Sequence, residues 1–82
     1  MKVHLTLFAA AQELAGAKTI ELDFEQEQIN LHELRSALTE KFPAMSALAP
    51  HLLFAAGTDY LPPESIITDG DQLVCFPPVS GG

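Results

Sequence analysis

Between Thr19 and Glu25 the chain alternates strictly, with Ile20, Leu22 and Phe24 at one set of positions and Glu21, Asp23 and Glu25 at the other. A period of two is that of a β-strand, and apolar residues alternating with acidic ones mark a strand buried on one face. Such a strand must lie beside others and under an apolar cover, and a chain of 82 residues offers few candidates for either. Val3, Leu5 and Leu7 alternate with His4 and Thr6, which predicts a first strand running to about Phe8. Leu52 to Ala56 reads as a strand ended by Gly57-Thr58-Asp59. Tyr60-Leu61 is a short edge strand that Pro62-Pro63 keeps from extending. Thr68-Asp69-Gly70-Asp71 is a turn, and Gln72 to Phe76 is the last strand.

The cover comes from one helix. Asn30 can cap it, and Glu33, three residues on, can reach back to the cap. Leu31, Leu34, Leu38 and Phe42 follow at helical spacing, with Glu33, Arg35 and Glu40 outside that stripe. Pro43 ends the helix by disfavouring helical angles at the residue before it. A shorter helix or helical turn is expected over Ala9 to Ala15, stopped by Gly16. Met45 to Pro50 is a turn-rich link. The expected class is α+β: a sheet of four to five strands covered on one face by one main helix, forming one domain over residues 1–76.

Composition narrows the function. Hydrophobic residues make up 48% of the chain, enough for a single core but with little room for an internal active-site cleft. A carrier, binding module or subunit is therefore favoured over an enzyme. Four Lys and Arg against eleven Asp and Glu leave a formal charge of −7. That charge repels nucleic-acid phosphates and anionic membranes, and it attracts a partner with a basic surface. It also serves plain solubility. A single cysteine, Cys75, excludes an internal disulfide and fits a reducing compartment. With neither a signal-peptide pattern nor a membrane-length apolar run, a cytoplasmic location is expected.

Other candidates for chemistry are weak. His4, His32 and His51 lie far apart without metal-ligand spacing, so no metal site is expected. Asp69-Gly70-Asp71 is not followed by the later ligands of a calcium loop. Cys75 has no neighbouring cation in sequence to activate it and reads as a packed thiol.

After Phe76 the pattern breaks, and residues 77–82 read as an extended tail. Pro77-Pro78 favours a stiff extended backbone, and Val79-Ser80-Gly81-Gly82 has neither a helix signal nor a core anchor. Six residues reach at most about 20 Å. Gly81 and Gly82, lacking Cβ atoms, can thread a narrow channel. The terminal carboxylate is inert until activated, for example as an acyl-adenylate. The chain has no phosphate-binding loop, so nucleotide chemistry would belong to a partner. A frayed end is the plain alternative.

The segment from Thr68 through Asp69-Gly70-Asp71-Gln72 to Phe76-Pro77-Pro78-Val79-Ser80-Gly81-Gly82 resembles the small, sulfur-carrying subunits of molybdopterin synthase. The opening Leu5-Thr6-Leu7-Phe8-Ala9-Ala10-Ala11-Gln12-Glu13-Leu14-Ala15-Gly16 is similar to the first strand and short helix of that family. The resemblance implies a ubiquitin-like β-grasp fold with a mixed sheet and a flexible Gly-Gly tail. It implies that Gly82 is adenylated by an enzyme related to ubiquitin-activating enzymes, with ATP used by that partner, and becomes a thiocarboxylate. The tail would then enter the large synthase subunit, in a complex of two small and two large subunits. There, at a pocket lined by lysine and arginine, its sulfur would pass to cyclic pyranopterin monophosphate. This chain would be the non-catalytic subunit, with no permanently bound cofactor. Pro77, Pro78, Val79, Ser80 and Gly81 would contact the partner, and Phe8 and Phe76 would either dock beside the tail or pack in the core. The family's Asn-containing hairpin is absent from Ala55-Ala56-Gly57-Thr58-Asp59-Tyr60. A thiamine-thiazole sulfur carrier, a ubiquitin-like modifier joined through Gly82, and a β-grasp interaction module with an inert tail are the alternatives. The Phe76-Pro77-Pro78 stem and the chain length favour the molybdopterin branch.

Overall fold

The computed structural model describes residues Met1–Pro78. Its strands are β1 (Lys2–Leu7), β2 (Thr19–Asp23), β3 (Gln28–Asn30), β4 (Leu53–Ala56), β5 (Asp59–Tyr60), β6 (Ile66–Thr68) and β7 (Gln72–Phe76). The helices are α1 (Ala10–Ala15) and α2 (Leu31–Lys41), and 3-10 turns at Pro43–Met45 and Ala49–His51 occupy the link after α2. Five strands form one mixed sheet in the order β2-β1-β7-β4-β5. β1 and β7 pair in parallel, with Leu5 opposite Leu73 and Leu7 opposite Cys75. The other pairings in that sheet are antiparallel.

The strand periodicity sorts the faces as expected. Val3, Leu5, Leu7, Leu22, Phe54, Leu73 and Cys75 are buried on the inner face. α2 lies against them through Leu31, Leu34 and Leu38, also buried. Both halves of its capping box form: Glu33 N–H donates to Asn30 Oδ1 at 2.8 Å, and Asn30 N–H to Glu33 Oε1 at 3.1 Å. At the other end Phe42 leaves helical geometry with φ −127° and ψ 83°, as Pro43 demands.

Three features differ from the sequence expectation. β2 ends at Asp23 rather than Glu25, because beyond it Phe24 N–H donates to the Met1 carbonyl and no further residue of β1 is available for pairing. A second, two-stranded sheet pairs β3 with β6, bringing the buried Ile29 and Ile67 face to face. Each of these strands has three residues, too few for a period to be read. Arg35, outside the apolar stripe of α2, is half-buried: its Nη2 donates to the Leu52 carbonyl at 3.0 Å, and its guanidinium stacks 5.3 Å from the Phe54 ring centroid. The hairpin lacking Asn is nonetheless tight. Ala56 pairs with Asp59 across Gly57-Thr58, and φ is positive at Gly57 (63°) but not at Thr58, the pattern of a type II′ turn.

The cap makes a direct test of the helix. Asn30→Ala leaves the Glu33 amide without its side-chain acceptor and is expected to destabilise the domain by about 1 kcal/mol, with the urea m-value unchanged. Equilibrium urea unfolding of the two proteins measures it.

Candidate functional site

The strand that leads into the tail, β7, is started by the Thr68–Asp71 turn. Asp71 Oδ2 accepts the Thr68 N–H at 2.9 Å, and Asp69 Oδ1 accepts the Lys2 N–H at 2.7 Å. Gly70, at φ 85°, takes a conformation closed to most side chains and donates its N–H to the Lys2 carbonyl. These carboxylates serve as turn acceptors. Together the bonds start β7 in register beside β1, and β7 then runs straight to Phe76. Pro77 is half-buried and Pro78 exposed. Val79, Ser80, Gly81 and Gly82, the remaining predicted tail residues, lie outside the described residues.

Alternation puts Val74 and Phe76 on the outer face of β7, away from α2. The β4 register sets Leu53 opposite Phe76 and Ala55 opposite Val74, and Tyr60 of β5 pairs with Ala55. The Tyr60 and Phe76 rings meet at 5.7 Å between centroids, tilted by 59°. Phe8 follows Leu7 at the end of β1 and donates its N–H to the Cys75 carbonyl at 3.1 Å. It is 43% exposed, and Tyr60 and Leu53 are 68% and 38% exposed. Neither Phe8 nor Phe76 is among the residues of the core. Both lie with Leu53 and Tyr60 on an apolar patch around the point where the tail departs. Exposed apolar groups grouped in this way mark an interaction surface.

Sequence reasoning found Phe8 and Phe76 but missed Leu53 and Tyr60. The signal existed for Leu53, since alternation with the core residue Phe54 puts it on the outer face. Its neighbourhood with Phe76, however, depends on the β4–β7 register. Ala9, next to Phe8, sits at φ 53° and ψ −131°, a strained conformation for alanine at the start of α1. The three histidines remain on separate elements, and among the described residues no group of three or more His, Cys, Asp or Glu gathers to hold a metal.

A mixed sheet grasping one helix, with the last strand leading into a projecting stem, defines a ubiquitin-like β-grasp protein. The ThiS family pattern matches residues 5–82, and this chain belongs to the ThiS family. It is similar to the molybdopterin synthase sulfur carrier subunit of Haemophilus influenzae, with 32% identity over 98% of this chain and 99% of that one. The crystal structure of SAMP1 from Haloferax volcanii superposes with a TM-score of 0.81 and 27% identity, covering 100% of both chains. A chain in the complex of subunits 1 and 2 of the molybdopterin-converting factor from Helicobacter pylori shares the fold, with a TM-score of 0.67, 23% identity and 100% coverage of both chains. Among the described residues no helix is long and apolar enough to cross a membrane.

Cys75, the only thiol, is fully buried on the inner face. Burial pushes its pKa up to about 12, an effect the Arg35 guanidinium offsets only in part. A thiol so held is protonated at neutral pH and shielded from electrophiles. Its unfolded pKa is lower, so between about pH 8.5 and 12 the unfolded state loses the proton first and stability falls as pH rises. Cys75→Ala is expected to remove up to about 1.4 kcal/mol per pH unit of that decline, read by urea unfolding across the alkaline range. Native Cys75 should resist alkylation at pH 7.5 and react once urea unfolds the chain.

Proposed function

We propose that this chain is the sulfur carrier subunit of a molybdopterin synthase. The observation that carries the reading is the nearly end-to-end likeness to the Haemophilus influenzae sulfur carrier subunit. The apolar patch at the root of the tail supports it, because a partner gripping Phe8, Leu53, Tyr60 and Phe76 would receive the tail in a set direction.

In this reading residues 77–82 form a substrate arm on a rigid body, and Gly82 is its working end. An adenylating partner related to ubiquitin-activating enzymes joins the Gly82 carboxylate to the AMP of ATP, releasing pyrophosphate. Hydrosulfide from the sulfur source then attacks the acyl carbon and displaces AMP, leaving a thiocarboxylate and releasing a proton. In the large subunit the sulfur passes to cyclic pyranopterin monophosphate, water supplies oxygen to the acyl carbon, and the carboxylate is restored for another round. The chain supplies position and a leaving group, and the catalytic residues belong to the partners. It holds no permanent cofactor and works in the cytoplasm as half of a complex of two small and two large subunits. Its acidic surface suits a partner lined with lysine and arginine.

The likeness to SAMP1 favours a second reading, a protein modifier joined to lysines through Gly82. Both readings share the adenylate and part only at its acceptor.

Intact-mass measurement after incubation with the activating enzyme, ATP and a sulfur source is expected to find one oxygen replaced by sulfur at Gly82. An unchanged mass under conditions that load a control carrier contradicts the proposal. Isopeptide adducts of Gly82 across many proteins would support the modifier instead. Removing Gly82 is expected to abolish molybdopterin synthesis without altering thermal unfolding. Phe76→Asp is expected to weaken large-subunit binding at least about tenfold, as loss of a central aromatic anchor does. Calorimetric titration measures that change.

A further inference from the structure

The outer face of the sheet is apolar only at its tail end. Four residues back along β1 from Phe8, about 13 Å away at strand spacing, its character changes. His4 stands opposite Glu21 on one side and Gln72 on the other, and Thr6 opposite Thr19 and Val74. His4, Thr6, Thr19, Glu21 and Gln72, with Leu5 and Ile20, line a cleft of about 380 Å³, and Thr6 at its edge pairs with Val74. Among the described residues the side chains of Thr6, Thr19 and Gln72 make no hydrogen bond, so their acceptors face the cleft unused. Glu21 is the only carboxylate lining it. Its side chain is 44% exposed, with Oε1 3.2 Å from Lys2 Nζ and Oε2 3.5 Å from His4 Nδ1. Lys2 itself lies outside the cleft.

Apolar contact is non-directional. A partner held by the patch alone could rotate about it, yet the tail must enter its pocket along one line. A directional contact well away from the patch removes that freedom, and the cleft is the polar concavity on the same face. We infer that the His4–Glu21–Gln72 cleft receives a lysine or arginine side chain of the tail-accepting protein, and that Glu21 sets the angle at which this chain docks. The inference rests on the docking role proposed for the patch. A cation fits because the cleft offers one carboxylate with hydroxyl and amide acceptors beside it, and because the −7 charge of the chain draws cations towards its surface.

The test is titration of the large synthase subunit with the wild-type chain and with Glu21→Gln, Glu40→Gln and Phe76→Asp, at low and high salt. Glu40 lies on α2, behind the sheet, and its variant changes the net charge by the same unit. Glu21→Gln is expected to weaken binding roughly fivefold to tenfold at low salt, with the gap closing at about 0.5 M salt, while Glu40→Gln has little effect. Thermal unfolding should barely change, since exposed ion pairs contribute little to stability. Unaltered or tighter binding by Glu21→Gln, or equal losses for Glu21→Gln and Glu40→Gln, overturns the inference. If Phe76→Asp weakens binding in the same series, the docking reading survives that failure. If the wild-type chain does not bind at all, the docking reading falls and this inference with it.

Discussion

The parallel pairing of β1 with β7 is the constraint on which the rest depends. It joins the two ends of the described chain, with Leu5 beside Leu73 and Leu7 beside Cys75 at the centre of the sheet. Every other strand of that sheet is placed relative to this pair, β2 on one side and β4 with β5 on the other. A contact between residues so distant in sequence carries a loop-closure cost and no local signal. Burial offsets that cost: Val3, Leu5, Leu7, Leu73 and Cys75 all lie under α2.

The same pairing makes the domain a platform for the tail. Because β7 is central and parallel to β1, its end emerges beside Phe8 rather than at a sheet edge. The Thr68–Asp71 turn sets where β7 starts, and the strand geometry then sets where Pro77 begins. A slip of one residue would turn Phe76 inward and Cys75 outward, exchanging an outer-face ring for an exposed thiol. The chain keeps its one thiol buried and protonated, which suits a protein whose proposed cargo is sulfur carried elsewhere.

Much of this was legible beforehand, and the reasons are local. The Asn30 and Glu33 cap, the Leu31-Leu34-Leu38 stripe and the stop before Pro43 are decided within a few residues, and all three appear where the spacing puts them. β7 likewise runs from Gln72 to Phe76 as its flanking turn and prolines require. The α+β class and the β-grasp expected from resemblance hold, with five strands in the main sheet. β3 and β6 escaped notice because three residues show no period, and each exists only as the partner of the other. The half-burial of Arg35, outside the apolar stripe, is not legible in the sequence because helical spacing separates faces but not depth, and the link after α2 supplies the Leu52 carbonyl that holds it.

Taken alone, the sequence determined the elements, the inner and outer residues of most strands, and a tail whose Pro-Pro stem and glycines suit delivery into another protein. These follow from steric and hydrophobic rules acting over a few neighbours. Only the tertiary structure decided which outer residues share a surface. Leu53 and Tyr60 join Phe76 through the β4–β7 and β4–β5 registers, and Glu21 meets His4 and Lys2 through the β1–β2 register. Register is a long-range property, set where two strands bury a common face, and no window along the chain contains it.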